Sequence, residues 1–130
     1  MKKGFTLVEL LAVIVVLGVI ALIAVPTILD VVEDSRKGAF KDSASGLLES
    51  AELYYTQYAG QKIEIDLSDD EIIKELNFKG TPPDGGLIYI NKDGEMSIKM
   101  YNSKYCAYKK IEDDTITVEE GNCSNIEIKE

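Results

Sequence analysis

The stretch that decides the fold is GFTLVELLAVIVVLGVIALIAVP, residues 4–26 of a chain of 130 residues. From Phe5 to Val25 nearly every residue is aliphatic, and Glu9 carries the one charge. About twenty apolar residues in a helix, at roughly 1.5 Å of rise each, cross a hydrocarbon layer of about 30 Å. The sequence therefore predicts a membrane-length helix over residues 5–25, with Lys2 and Lys3 on the side expected to stay cytoplasmic.

The composition excludes several classes of function. The chain has 23 acidic and 14 Lys or Arg residues, a net charge of −9, and nucleic acid is therefore not expected as a partner because phosphate binding needs a basic surface. There is no His, which removes the commonest general base and metal ligand. We expect no catalytic residues, no metal site and no cofactor. A solvated acidic face explains the acidic cluster at residues 66–71 better than calcium binding, because the EF-hand spacing is absent.

The apolar segment alone is open to different interpretations. A cleaved secretory signal fits the basic start, but the apolar run exceeds the usual length of about 7–15 residues and no A-x-A site precedes Pro26. A plain membrane anchor explains the length but not Glu9, since a buried carboxylate costs roughly 2.5–3.5 kcal/mol even on insertion scales. We expect no partner for Glu9 within the segment itself.

The residues Gly4-Phe5-Thr6-Leu7-Val8-Glu9 resemble the leader and processing site of type IV prepilins. The resemblance implies that a prepilin peptidase cuts after Gly4 and methylates the new N-terminal residue, Phe5. It also implies an assembly role for Phe5 and Glu9, in which the Glu9 carboxylate pairs with the N-terminal amine of a neighbouring subunit. Such a pair offsets most of the cost of a charge in an apolar bundle.

Two further positions of the apolar helix match the same family. Gly18 and Pro26 stand where pilins carry helix-weakening residues. Pro26 is expected to kink the helix because proline removes a backbone hydrogen bond. The resemblance implies that the stretch between Gly18 and Pro26 can lose helicity on assembly. The alternative is that both are ordinary residues of a membrane helix, where Gly and Pro are tolerated.

The pattern after Pro26 predicts an α+β fold. Apolar residues continue at steps of mostly three or four, which predicts an amphipathic half of the same helix over residues 26–59 that packs on a sheet: Ile28, Val32, Phe40, Ala44, Leu47, Ala51, Tyr54 and Tyr58. A head over residues 60–130 follows a leader at residues 1–4 and the helix. We predict an antiparallel sheet of about four strands, at Leu87–Asn91, Glu95–Tyr101, Tyr105–Lys110 and Thr115–Glu119, with a further strand suggested by Ile126 and Ile128. Lys62–Leu67 is expected to be an acidic connector. This architecture agrees with the pilin fold that the resemblance implies.

Cys106 and Cys123 lie in the predicted sheet region. They could be buried free thiols, half of a metal site or a disulfide. The metal hypothesis is weak with two cysteines and no His. The resemblance favours a disulfide, because pilins often pin their last loop to the sheet in this way and the head would lie outside the membrane, where disulfides persist.

The function implied by the resemblance is that of a structural subunit of a type IV pilus, and not an enzyme. Its implied partners are copies of itself in a helical homopolymer, the prepilin peptidase, the pilus assembly platform with its ATPase, minor pilins, and membrane lipid before assembly. Its implied location is a single-pass membrane protein that becomes part of an extracellular surface filament. The alternatives are a pseudopilin of a type II secretion or competence (DNA uptake) apparatus, or a membrane-anchored binding domain. Adhesion and twitching motility share this N-terminus with secretion and DNA uptake.

Overall fold

The computed structural model describes residues 3–58 and 60–129. Met1 and Lys2 of the predicted leader, the expected helix end at Ala59 and the last residue of the head, Glu130, lie outside the described residues. The chain forms two compact units, one ending at Arg36 and the other beginning at Lys37.

Helix α1 runs from Leu7 to Tyr55 and is followed by a short 3-10 helix at Thr56–Tyr58. The helix includes Pro26. Within the second unit, Phe40, Ala44, Leu47 and Ala51 are its buried residues. Their spacing of three and four places them on one face of the helix, as the sequence predicts. Ile28, Val32 and Tyr58 of the predicted stripe are exposed instead, and the stripe has no member between Val32 and Phe40.

The head holds a five-stranded antiparallel sheet in which neighbouring strands follow chain order. The strands are β1 (Ile63–Asp66), β2 (Gly85–Ile90), β3 (Met96–Tyr101), β4 (Tyr105–Lys109) and β5 (Thr117–Glu120). A short helix α2 (Asp70–Glu75) lies between β1 and β2, and Asp69 caps it by accepting a hydrogen bond from the Glu71 amide. The fold is the predicted long helix packed on an antiparallel sheet, an α+β pilin-like architecture.

The core lies between the buried face of α1 and one face of the sheet. The sheet contributes residues that alternate along its strands, as a half-buried sheet requires. They join the buried face of α1 in one cluster: Ile65, Ile88, Ile90, Ile98, Met100, Tyr105 and Ala107. Tyr55 ties the end of α1 to the β2–β3 turn, because its hydroxyl donates to the Lys92 carbonyl and accepts from the Gly60 amide, both at 3.1 Å.

Two features of the sheet differ from the sequence prediction. The expected connector contains β1, which pairs with β2 through Ile65 and Ile88, so the sheet has five strands rather than about four. The suggested strand at Ile126 and Ile128 is wrong, because these residues are in no strand. Their backbone carbonyls instead accept hydrogen bonds from side chains of β3, Lys99 to Ile126 and Ser97 to Ile128.

The C-terminal segment, residues 121–129, lies on the sheet face opposite the core. Ser97 and Lys99 alternate along β3 with the core residue Ile98, so they point to this outer face. The Ser97 hydroxyl is fully buried and donates to the Ile128 carbonyl at 2.7 Å. At the far side of the sheet, Lys129 forms a half-exposed ion pair with Glu64 of β1 at 2.8 Å.

Candidate processing and assembly site

Gly4 and Phe5, the predicted processing residues, precede the first helical residue, Leu7. Residues 3–6 form neither helix nor strand. A Cβ added at Gly4 would meet no atom within 4 Å, and the Phe5 side chain is 91% exposed. The peptide bond between the two residues is therefore free of intramolecular packing.

Thr6 and Glu9 form a reciprocal capping box at the start of α1. The Thr6 amide donates to Glu9 Oε2 at 3.0 Å, and the Glu9 amide donates to Thr6 Oγ1 at 3.2 Å. This pattern satisfies two backbone donors that the first turn of a helix would otherwise leave unpaired. The expectation that Glu9 has no partner within its own segment is therefore wrong. The Thr-x-x-Glu spacing was visible in the sequence and was the signal that could have shown it.

From Leu10 to Pro26 every residue of α1 is apolar, so this part of the helix presents a continuous apolar surface. One window of 18 residues has a mean hydropathy of 3.1, and none of it is buried within the chain. The large apolar side chains from Leu7 to Leu22 are more than half exposed. A monomeric soluble protein rarely exposes so large an apolar area, so this surface requires lipid or neighbouring helices. By length and composition this helix is able to cross a membrane.

Gly18 and Pro26, the predicted points of helix flexibility, both lie within α1. A Cβ at Gly18 would meet no atom within 4 Å, so tight packing inside the chain does not account for this glycine. Pro26 has no backbone N–H to donate to the carbonyl four residues earlier. Beside it, the Thr27 hydroxyl donates to the Ile23 carbonyl at 3.4 Å. Loss of helicity between Gly18 and Pro26 stays a prediction.

Cys106 and Cys123 form a disulfide with a Cα–Cα distance of 5.8 Å. Cys106 is fully buried on β4 and points to the outer face, because its neighbours Tyr105 and Ala107 belong to the core. Cys123 lies near the start of the C-terminal segment, which covers this face. The disulfide therefore fixes one end of that segment, and the Lys129–Glu64 ion pair holds the other.

Two tyrosine hydroxyls of the second unit have raised pKa values. A hydrogen bond with Tyr58 raises the pKa of Tyr54 to about 12. The centroids of the two rings lie 5.2 Å apart. The Tyr108 hydroxyl donates to the Glu119 carboxylate at 3.1 Å, and this bond raises the pKa of Tyr108. Over residues 3–58 and 60–129, no group of three or more Cys, Asp or Glu side chains is placed to hold a metal ion.

Comparison with known proteins identifies the N-terminal segment. Residues 1–25 match the family model of the prokaryotic N-terminal methylation motif. This motif is the hallmark of type IV pilins and pseudopilins and points to a structural subunit. No curated protein and no solved structure gives a significant match to the chain. The residues that match include Gly4, Phe5 and Glu9, which the sequence analysis singled out for processing and assembly.

Proposed function

We propose that this protein is a structural subunit of a type IV pilus, processed after Gly4 and polymerised through its apolar N-terminal helix. The observation that carries the proposal is the methylation motif at residues 1–25, joined to an exposed apolar helix and a separate head. The motif and the helix fit a protein anchored in the membrane before assembly. The prepilin peptidase would remove Met1–Gly4 and methylate Phe5.

Cohesion of the filament would come from burial of the N-terminal helices. Apolar surface kept out of water contributes roughly 25 cal/mol per Å², so packing some twenty exposed apolar residues in the filament is strongly favoured over exposing them to water. The same face of each subunit would contact a different face of the next, which is the heterologous geometry that gives open filaments. An assembly platform with its ATPase would extract subunits from the membrane, and minor pilins would join the same filament.

Glu9 would fix the register of this assembly. A carboxylate among apolar helices is costly unless it is paired, and the positive amine of a neighbouring Phe5 would be its partner. Only one axial offset between helices brings the two charges together, so other offsets are disfavoured. The capping box already directs the Glu9 carboxylate back toward the chain start, where this amine is created.

The variant Glu9→Gln tests the proposal by removing the charge while keeping a side chain that can complete a capping box. We expect normal membrane insertion and normal cleavage after Gly4, with a large loss of filament in the sheared surface fraction. Glu49→Gln is the matched control, because it makes the same change in the part of α1 that belongs to the second unit. A normal filament yield from Glu9→Gln would refute the pairing of Glu9 with the neighbouring amine.

A pseudopilin of a secretion or DNA-uptake apparatus would share the motif. The location of the processed protein distinguishes this function from that of a pilus subunit. Processed subunit in the sheared surface fraction supports the pilus, whereas processed subunit confined to the membrane fraction supports a pseudopilin. An uncut chain in both fractions would instead support a membrane-anchored binding domain.

A further inference from the structure

We propose that Thr6 is a positioning residue for cleavage at the Gly4–Phe5 bond, because its capping box starts α1 at Leu7 and keeps the scissile bond outside the helix. The inference rests on the proposed processing after Gly4. It adds to that proposal a residue outside the scissile bond that acts through the conformation of the chain.

Three hydrogen bonds define Thr6 as the residue that caps the helix. The reciprocal bonds between Thr6 and Glu9 measure 3.0 and 3.2 Å. The third runs from the Leu10 amide to the Thr6 carbonyl at 3.2 Å and is the first bond of the helical ladder. A residue whose carbonyl accepts the first helical bond while its side chain accepts from a first-turn amide is an N-cap by definition.

This helix start decides the state of the scissile bond. A protease cuts a backbone that is open, so a bond inside a helix must first unwind. Gly4 and Phe5 lie in residues 3–6, outside the helix, and Phe5 is almost fully exposed. The Gly4–Phe5 bond therefore needs no unwinding before a peptidase can bind it.

Without the Thr6 hydroxyl the helix start is expected to move toward the leader. Glycine is also accepted as an N-cap, so Gly4 is the next residue able to start the helix. That start would place the Gly4–Phe5 bond at the first turn. The alternative is a helix that starts later in the chain than Leu7. It would free backbone N–H groups beside the apolar run, where an unpaired donor is costly. Extension over the scissile bond is therefore the favoured response.

The test measures the initial rate of cleavage of the full-length precursor in membrane vesicles by purified prepilin peptidase, followed by intact mass. Thr6→Val keeps the shape of the side chain and removes the hydroxyl, and Thr6→Ser keeps the hydroxyl. Thr27→Val is the matched control, because the Thr27 hydroxyl also bonds the backbone of α1 but lies far along the chain from the scissile bond. We expect Thr6→Val to lower the rate by up to about fivefold, because loss of an N-cap changes the ratio of the two helix starts by that factor. Thr6→Ser and Thr27→Val should be cut at close to the wild-type rate.

Amide hydrogen exchange of the precursor in detergent micelles reports the helix start directly. In the Thr6→Val variant, we expect the Val8 amide to exchange more slowly than in the wild type, because a helix that starts at Gly4 gives this amide the Gly4 carbonyl as its acceptor. The Thr27→Val variant should leave this exchange rate unchanged.

The outcomes separate this inference from the proposed function. Equal or faster cleavage of Thr6→Val, with the wild type cut after Gly4, overturns the role of Thr6 and leaves the processing intact. Equal slowing by Thr6→Val and Thr6→Ser, or by Thr6→Val and Thr27→Val, also overturns it, because the hydroxyl at the cap would not be the cause. A wild-type precursor that is never cut after Gly4 overturns the proposed function itself.

Discussion

Replacing Cys123 with serine is expected to reduce the stability of the head by an amount set by the loop that the disulfide closes. Cys106 and Cys123 are separated by 17 positions. In the chain-entropy description, a disulfide that closes a loop of about 15 residues stabilises a protein by roughly 3 kcal/mol. The contacts that would remain on the C-terminal segment include the Ser97 and Lys99 hydrogen bonds and the half-exposed Lys129–Glu64 ion pair. The ion pair contributes at most about 1 kcal/mol, so it does not replace the disulfide.

The assay is thermal unfolding of the full-length protein in detergent, followed by circular dichroism of the sheet. A unit of this size shifts its Tm by about 4–8 °C per kcal/mol, so the expected loss is roughly 12–24 °C under oxidising conditions. Ser124→Ala serves as the control, because it changes the neighbouring residue and leaves both cysteines in place. Under strong reducing conditions, wild type and Cys123→Ser should unfold at nearly the same temperature.

If the Tm of wild type and the Tm of Cys123→Ser differ by the same amount with and without reductant, the disulfide is not the source of the stability. The stability would then come from packing of the Cys123 side chain, which is 8% exposed, and not from the covalent link to Cys106.

Two further predictions concern tyrosine hydroxyls of the second unit. Tyr105→Phe should raise the free energy of unfolding by about 1 kcal/mol in urea titrations, because the Tyr105 hydroxyl is buried and has no hydrogen-bond partner within the described residues. A loss of stability would show that this hydroxyl has a partner. Tyr58→Phe should return the pKa of Tyr54 from about 12 toward 10.0 in an absorbance titration of tyrosinate. Because the folded state raises the pKa of Tyr54, its contribution to stability is complete below about pH 10 and is lost between about pH 10 and 12. Unfolding measured across that range should show a larger loss in the wild type than in Tyr58→Phe, in which burial and Glu75 still raise the pKa of Tyr54. An unchanged titration would refute the Tyr58 hydrogen bond as the main cause.

The fold class followed from local patterns, whereas the edges of the sheet did not. The helix period is a local property, and so is the Asp-Gly turn at residues 93–94 that joins two of the predicted strands. The helix and the pairing of these two strands are both present. Strand β1 shows the same apolar alternation, through Ile63 and Ile65, but it is short and acidic. Its identity depends on pairing with β2, which lies more than twenty residues later in the chain. Ile126 and Ile128 alternate in the same way but form no strand. Their carbonyls accept hydrogen bonds from side chains of β3 and not from the backbone of a neighbouring strand.

The candidate site was largely visible in the sequence, because its residues are close together in the chain. Gly4, Phe5 and Glu9 form a compact motif, and the comparison found the same segment. The capping box between Thr6 and Glu9 was not predicted, although its spacing is a known helix-start signal. A carboxylate in an apolar run indicates a partner on another subunit, but it is equally able to accept from the backbone amide three residues earlier, as Glu9 does from Thr6.

The most direct test of the central claim is intact mass and N-terminal sequencing of the protein recovered from its native cells, in membrane and sheared surface fractions. We predict a chain that starts at Phe5, carries one added methyl group and is present in the sheared fraction. A chain that still starts at Met1 in both fractions would contradict processing, and with it the assignment of this protein as a filament subunit.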